Sequence, residues 1–251
     1  MLKEDTLYIV MPAYNEAKNL PELISEWYPW TETSKDSRIL IVNDGSKDDT
    51  ISVLTELKKY YPKLIFINKK NSGHGPSVTF AYKEALNAGA DFIFQTDSDC
   101  QTRAKDFNVF WDNRNKYDVQ LGYRFDRKDG LSRKFVSSIL SKVVWILFKE
   151  NIKDANVPFR LYNKHALEKI IQYIPDDFLL SNVLCSIIGK KLEDNKELTM
   201  TRHKIDFFER QLGKNSINFK STFKFARKFI SQSLKWKKYF VINDMYNICS
   251  N

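Results

Sequence analysis

Short apolar runs alternate with amphipathic stretches through the first half of the chain. Five runs of four or five residues have the length and character of buried strands: residues 7–11, 39–42, 64–67, 91–95 and 118–122. Between them, the spacing of apolar residues and the start signals predict helices over residues 19–27, 46–58 and 76–86. Continuously hydrophobic strands separated by helices are typical of a parallel sheet covered on both faces. The pattern therefore predicts an α/β fold with a mostly parallel central sheet.

After residue 126 the pattern becomes mainly helical. Helices are predicted over residues 131–149, 163–173, 178–189 and 219–240, and residues 198–208 are a candidate strand. The last helix is basic and amphipathic, and its apolar stripe comprises Phe219, Phe223, Ala226, Ile230 and Leu234. We predict two parts: a domain over residues 1–218 and a basic helical extension over residues 219–251.

Composition excludes several classes of protein. With 43% hydrophobic residues, 8 Gly and 7 Pro, the chain is neither disordered nor fibrous. Its three cysteines lie far apart, which excludes a disulfide framework, and three histidines without an HExxH motif argue against a zinc hydrolase. No apolar run approaches the roughly 18 residues that a membrane span needs. The start of the chain is acidic and does not resemble a signal peptide, so we expect a cytoplasmic protein.

Positive charge is concentrated towards the end of the chain. Residues 196–240 contain 12 Lys and Arg against three acidic residues, so this segment alone carries the whole net charge of +9. A local basic excess indicates an anionic partner. Nucleic acid, anionic lipid and a phosphorylated substrate all satisfy that requirement.

Polar clusters follow three of the predicted strands, at residues 12–16, 43–46 and 96–101. Carboxyl ends of parallel strands meet at one edge of a sheet, where ligands bind. Asp97 and Asp99 would repel each other without a cation, and Mg²⁺ or Mn²⁺ prefers such oxygen ligands. Residues 71–76 add two glycines before a helix, a feature that suits an anion but also fits a simple turn.

Four motifs in this order resemble those of family 2 glycosyltransferases with the GT-A fold. They are VMPAYNE at residues 10–16, VNDGS at 42–46, NSGHG at 71–75 and DSD at 97–99. Further motifs resemble the dolichyl- and polyprenyl-phosphate sugar synthase branch: GYR at 122–124, RKFVS at 133–137, PFRLY at 158–162 and RQLG at 210–213. At residues 155–158, however, the chain lacks the small, glycine-rich approach that this branch normally has.

The resemblance implies a role for each matching residue. The nucleotide base and ribose would be surrounded by Pro12, Tyr14, Glu16 and Asp44, with Gly73 in the donor-binding loop and Arg210 near the donor phosphates. Asp97, Asp99 and Gln101 would hold Mn²⁺ or Mg²⁺ together with the donor diphosphate. The acceptor phosphate would be bound by Arg124, Arg133 and Ser137. The residues expected to be catalytic are Asp99, Arg124, Arg133 and Asp177.

The implied reaction is metal-dependent transfer of a single sugar, with inversion, from a UDP- or GDP-sugar. The leading acceptor is a polyprenyl phosphate at the cytoplasmic face of the cell membrane. An alternative acceptor is a sugar hydroxyl of a lipid-linked or cell-surface glycan, which needs a carboxylate base such as Asp176 or Asp177. Both aspartates could instead cap a helix start. A third possibility, from another class, is an inactive relative that serves as a membrane-associated partner.

Two roles are open for the basic helix. It could pack an apolar face on the core, or lie at the membrane interface with Trp236 and its phenylalanines as anchors. Peripheral membrane association is expected. Nucleic-acid binding is not expected, because no recognition motif accompanies the charge.

Overall fold

The computed structural model describes residues 5–124, 145–150, 152, 154–209 and 219–242. Seven strands of these residues form one sheet in the order β3-β2-β1-β4-β6-β5-β7. Neighbouring strands are parallel, except that β6 is antiparallel to both β4 and β5. The strands are β1 (Leu7–Ala13), β2 (Arg38–Asn43), β3 (Leu64–Asn68), β4 (Phe92–Thr96), β5 (Val119–Arg124), β6 (Phe159–Asn163) and β7 (Met200–Ile205). The predicted α/β class and mostly parallel sheet are confirmed.

Seven α-helices surround the sheet within the described residues. They are α1 (Leu20–Trp27), α2 (Thr50–Tyr60), α3 (His74–Asn87), α4 (Asn108–Asp112), α5 (Lys164–Ile171), α6 (Ser181–Asp194) and α7 (Phe219–Ile242). Two 3-10 segments, Tyr28–Thr33 and Ala104–Phe107, precede β2 and α4, and residues 145–148 are also helical. The rest of the helix predicted over residues 131–149 lies outside the described residues.

Each face of the sheet carries its own apolar core. Along β1, Ile9 and Met11 point to the face that α1 covers, whereas Tyr8 and Val10 point to the face that α3, α5, α6 and α7 cover. All four side chains are buried. This two-sided burial explains why the strands lack in-out alternation in sequence.

Strand β6 is not among the predicted strands. It is five residues long and has the charged Arg160 at its second position, which hides the strand pattern. Arg160 is nonetheless fully buried, because its guanidinium donates to the carbonyls of Ala155, Val157 and Asn182. Since β6 runs antiparallel, its amino end lies at the same edge as the carboxyl ends of β4 and β5.

Two helices start later than predicted, because groups at the predicted start positions make other hydrogen bonds. Helix α2 was expected from Ser46 but begins at Thr50. The Ser46 hydroxyl contacts Asn43 Oδ1 at 2.5 Å and accepts from the Asn15 amide, so it does not cap a helix. Helix α6 was expected from Phe178 but begins at Ser181. The Phe178 amide donates instead to the Pro175 carbonyl in a turn.

Helix α7 packs on the core through a different face from the predicted one. Among its described side chains, Phe229, Ser233 and Trp236 are buried, and the Trp236 indole N–H donates to the Tyr173 carbonyl at 2.7 Å. Of the predicted stripe, Ile230 and Leu234 are exposed. Ile230 and Leu234 therefore do not form the core face, and Trp236 is buried rather than exposed as a membrane anchor. The side chains of Phe219 and Phe223 lie outside the described ones. One face of the helix does pack on the core, which was one of the two alternatives given for it; the other was a position at the membrane interface.

Candidate functional site

The polar clusters after β1, β2 and β4 meet at one edge of the sheet. The Asn15 backbone amide donates to Ser46 Oγ at 2.9 Å, and the Asn15 side-chain Oδ1 accepts from the Lys47 backbone amide at 2.8 Å. On the other side of β1, Ser98 Oγ donates to the Pro12 carbonyl at 2.8 Å. The predicted convergence of these clusters is confirmed.

Asp44 lies at the centre of a network that holds the loop after β3. Its carboxylate accepts from the backbone amides of Ser72 at 2.9 Å and Gly73 at 2.8 Å. Lys69 Nζ lies 2.5 Å from Asp44 Oδ1 and also 2.5 Å from Ser72 Oγ. Because the Asp44 side chain is only 5% exposed, the lysine charge balances a carboxylate that has little access to water.

Helix α3 starts from this loop and is docked against the chain just before α6. Gly73 has a φ of +100°, a conformation that suits glycine. A Cβ added at Gly75 would lie 2.3 Å from the Phe178 carbonyl oxygen and 2.4 Å from that of Leu179. Ser181 Oγ donates to the Gly75 carbonyl at 2.9 Å. Only glycine allows two backbone segments to approach this closely.

The two carboxylates after β4 lie on the other side of β1 from Asp44, which follows β2. His74 Nε2 is 3.7 Å from Asp97 Oδ1, and Gln95 Nε2 approaches the same oxygen at 3.4 Å. Asp99 Oδ1 accepts from the Gln101 backbone amide at 3.2 Å. Asp97 and Asp99 are both partly exposed at this edge of the sheet.

Asp97 and Asp99 fit a divalent cation in the type of their donor atoms. Carboxylate oxygens suit Mg²⁺ and Mn²⁺, which keep positions for water and phosphate oxygens. Across the described ranges, no three His, Cys, Asp or Glu side chains lie close enough together to form a metal site alone.

Gln101 connects the Asp97–Asp99 loop to the segment after β7. Its side-chain amide donates to the Phe208 carbonyl at 2.9 Å, and the Phe208 amide donates to the Gln101 carbonyl at 2.9 Å. The predicted contribution of Gln101 to a metal site is thus limited to its remaining amide oxygen. Phe208 lies two residues before Arg210, which is outside the described residues.

The residues predicted to surround the nucleotide differ in their exposure to solvent. Tyr14 is exposed at the site edge, and Pro12 lies within β1 next to it. Glu16 is buried, and its carboxylate accepts from Asn19 Nδ2 at 2.5 Å. Its position suits stabilising the loop after β1.

Arg124, predicted to bind the acceptor phosphate, forms an ion pair with Asp154. Nε donates to Asp154 Oδ2 at 2.8 Å and Nη2 to Oδ1 at 2.5 Å. The guanidinium also lies 4.7 Å from the centre of the Phe207 ring. Arg124 therefore joins the ends of β5 and β7 to the segment before β6. Arg133 and Ser137, its predicted partners, lie outside the described residues.

Asp176 and Asp177 precede α6 by several residues and do not cap it, since its N-cap residue is Leu180. Asp176 lies 2.5 Å from Lys83 Nζ on α3. The Asp177 carbonyl accepts from Gln232 Nε2 at 2.8 Å, and Gln232 Oε1 accepts from the Leu179 amide at 3.0 Å. A side chain of α7 thus fixes the chain that packs on Gly75.

Three site residues carry no sequence signal strong enough to single them out. Lys69 and Asp154 are ordinary charged residues whose partners lie 25 and 30 positions away. His74 draws attention only through its two flanking glycines. Cys100 is the unusual residue between Asp99 and Gln101, and burial raises the pKa of its thiol to about 12, which disfavours the reactive thiolate.

Comparison with known families identifies the chain. Residues 8–171 match the model of glycosyl transferase family 2. The chain belongs to this family, and its fold is the GT-A fold. No helix among the described residues is both long and apolar enough to cross a membrane.

Curated relatives act on lipid phosphates according to their names. A dolichyl-phosphate beta-glucosyltransferase of Trichomonas vaginalis is 29% identical over 180 residues, covering 64% of this chain and 54% of the relative. An undecaprenyl-phosphate 4-deoxy-4-formamido-L-arabinose transferase of Klebsiella pneumoniae is 24% identical over 172 residues, covering 65% and 50%. This chain therefore matches about half the length of these relatives.

Solved structures share the fold at low sequence identity. Glucosyl-3-phosphoglycerate synthase from Mycobacterium tuberculosis, determined with Mn²⁺ and uridine-diphosphate-glucose, aligns with a TM-score of 0.65 and 12% identity over 92% of this chain and 79% of that chain. TarS of S. aureus aligns with a TM-score of 0.58 and 16% identity over 91% and 65%.

Proposed function

We propose that this chain transfers one sugar from a nucleotide diphosphate sugar, UDP- or GDP-linked, to a polyprenyl phosphate at the inner face of the cell membrane. The observation that carries this proposal is that three strand-end clusters meet beside the start of α3, where Asp44 bonds to Gly73 and Asp97 lies close to His74. The names of the curated relatives support a lipid phosphate as the acceptor.

The donor would lie along this edge. Tyr14 and Asp44 would contact the base and ribose, and the amino end of α3 would lie near phosphate oxygens. Asp97 and Asp99 would hold Mn²⁺ or Mg²⁺, which when bound would neutralise charge on the departing nucleoside diphosphate. A neighbour with the same fold is solved with Mn²⁺ and a UDP-sugar, which supports this arrangement.

The acceptor determines whether a base is needed. A phosphate oxygen is already ionised, so it can attack the anomeric carbon from the side opposite the diphosphate while the carbon–oxygen bond to that diphosphate breaks. The configuration is thereby inverted, and no proton has to be removed. Arg124, Arg133 and Ser137 would orient the phosphate, with the arginines balancing its charge.

A sugar hydroxyl is the second candidate acceptor. Asp154 already balances the charge of Arg124, and this observation favours a neutral acceptor. A hydroxyl would need a base to take its proton, a contribution worth about 10²–10⁴ in rate. Asp177 is the candidate, because it is exposed and lies one residue from the backbone that packs on Gly75.

The proposal is tested by measuring nucleoside diphosphate release. The assay contains Mn²⁺ and a panel of UDP- and GDP-sugars, with and without undecaprenyl phosphate. We expect one donor to be used and its release to be stimulated by the lipid. Slow release without stimulation would contradict the lipid acceptor and favour the hydroxyl. No release from any donor would favour the inactive relative.

A further inference from the structure

Helix α7 has a second apolar face that the core does not use. Phe229 and Trp236 are buried, whereas Ile230 and Leu234, on another side of the helix, are 36% and 52% exposed. A surface helix of a globular domain needs one apolar stripe to pack on the core. The exposed stripe is therefore free to serve another purpose.

The exposed apolar surface continues onto residues 145–148. Lys237 Nζ donates to the Leu147 carbonyl at 2.9 Å, and the rings of Trp236 and Phe148 lie 5.6 Å apart, so the two segments are in contact. Trp145 and Ile146 are 55% and 58% exposed. We name the combined surface the C-terminal patch: Trp145, Ile146, Ile230 and Leu234.

The patch concentrates exposed apolar area. Within the described part of the chain, ten large hydrophobic side chains are exposed, and four of them belong to the C-terminal patch. Large hydrophobic residues scattered singly over a surface need no explanation, but a contiguous group of them marks an interaction site.

The charge around the patch indicates what binds there. Helix α7 contains seven Lys and Arg and no acidic residue. Four of these are exposed on described side chains: Arg227, Lys228, Lys235 and Lys238. An apolar stripe flanked by basic side chains fits an anionic bilayer, with aliphatic groups among the acyl chains and lysines at the head groups. A second copy would bring an equally basic surface, and nucleic acid would leave the aliphatic groups uncovered.

We propose that the C-terminal patch docks on an anionic bilayer surface. This extends the proposed function, because a polyprenyl phosphate lies in a membrane and Gln232 on the same helix bonds to the segment beside Gly75. Docking would then hold the start of α3 next to the lipid surface. Vesicle binding needs neither a donor nor transfer, so it can fail independently of the reaction.

Co-sedimentation of the full chain with vesicles tests the proposal. We expect binding to phosphatidylcholine vesicles that contain phosphatidylglycerol, and little binding to phosphatidylcholine alone. Leu234→Asp should weaken binding at least about tenfold, because a charge replaces an inserted side chain. Lys235→Glu with Lys238→Glu should weaken it at least about thirtyfold, since each basic residue near an anionic surface contributes.

Matched variants elsewhere separate docking from general effects. Tyr60→Asp changes an exposed apolar side chain on α2, and Lys35→Glu with Lys116→Glu makes the same charge change before β2 and β5. The apolar control should bind as the wild type does, and the charge control should lose much less than its counterpart on α7. Equal losses in the matched pairs would overturn the proposal, as would unchanged binding by Leu234→Asp. A dimer that Leu234→Asp dissociates without altering vesicle binding would assign the patch to a second copy instead.

Discussion

At the scale of single residues, the site is stabilised by an ion pair that is much less exposed to solvent than the ion pairs on the outer surface. Lys69 and Asp44 are 18% and 5% exposed, whereas the pair of Lys59 and Glu56 is 65% and 55% exposed. Water screens the second pair, so it contributes little to stability. In the first pair, loss of the lysine leaves a nearly buried carboxylate without its counter-charge.

Lys69→Met should therefore destabilise the protein and weaken donor binding. We expect the free energy of unfolding to fall by about 2 kcal/mol, since a poorly solvated charge loses its partner. Affinity for the preferred nucleoside diphosphate should fall about tenfold, because the loop that Asp44 holds changes position. Urea unfolding and calorimetric titration measure the two effects. Lys59→Met is the matched control and should change stability by less than about 1 kcal/mol. Similar values for the two variants would contradict a special role for Lys69.

Asp99→Asn tests the proposed cation site. The substitution preserves shape but removes one of two carboxylate charges, so we expect transfer to be abolished while the fold is retained. Calorimetric titration of Mn²⁺ in the presence of the nucleoside diphosphate should show weaker binding. Asp112→Asn, an exposed carboxylate at the end of α4, should leave both measurements unchanged. Normal turnover by Asp99→Asn would remove the cation assignment.

At the scale of elements, the site depends on how α3 is docked. Gly75 lets the first turn of α3 touch the carbonyls of Phe178 and Leu179, and Gln232 of α7 holds the same segment from its other side. Three elements distant in sequence therefore meet at the loop that begins α3. A change in any of them should reach the donor site.

Gly75→Ala should separate α3 from the segment before α6. The added methyl group would lie 2.3 Å from a backbone oxygen, which cannot move aside as a side chain can. We expect a loss of about 2 kcal/mol in stability and weaker nucleotide binding. Gly189→Ala, within α6, is the control: its methyl group meets Met200 Sδ at 3.2 Å, and a flexible thioether can adjust. Unchanged nucleotide affinity in Gly75→Ala would show that this close contact does not support the site.

Sequence predicted those parts of the fold that depend on local pattern. The hydrophobic runs predict the buried strands and the helices between them. The parallel topology predicts the edge of the sheet at which the polar clusters meet. Strand β6 was not predicted from sequence, because the buried Arg160 side chain donates hydrogen bonds to carbonyls of other segments. No local sequence pattern encodes such contacts. The face of α7 that packs on the core could not be predicted, because the helix has two apolar faces and only tertiary contacts decide between them. For the same reason, the partners of Asp44 and Arg124 could not be predicted.

At the scale of the whole molecule, the two edges of the sheet formed by the strand ends differ in role: one carries binding groups and the other carries a stabilising network. Binding groups lie at the edge where β1, β2 and β4 end. At the opposite edge, Asp118 joins three strands: it accepts from the Thr199 amide and hydroxyl, each at 2.7 Å, and from Asn163 Nδ2 at 2.7 Å. Burial opposes ionisation of Asp118, but the hydrogen bonds from Thr199 and Asn163 outweigh it and lower the pKa of its carboxyl.

Asp118→Asn should therefore reduce stability without affecting the site. A lowered pKa means that the ionised carboxylate stabilises the fold above its ordinary pKa of about 3.9, and that this contribution is lost as the pH falls through the folded-state value. We expect the variant to be less stable by about 1 kcal/mol at neutral pH, after allowance for solvent screening of a partly exposed group. In urea unfolding, the difference from the wild type should stay constant down to about pH 5 and shrink below about pH 4. Nucleotide affinity should match that of the wild type, because Asp118 lies at the far edge of the sheet. A pH-independent difference would contradict the role of the charge, and a change in nucleotide affinity would contradict the separation of the two edges.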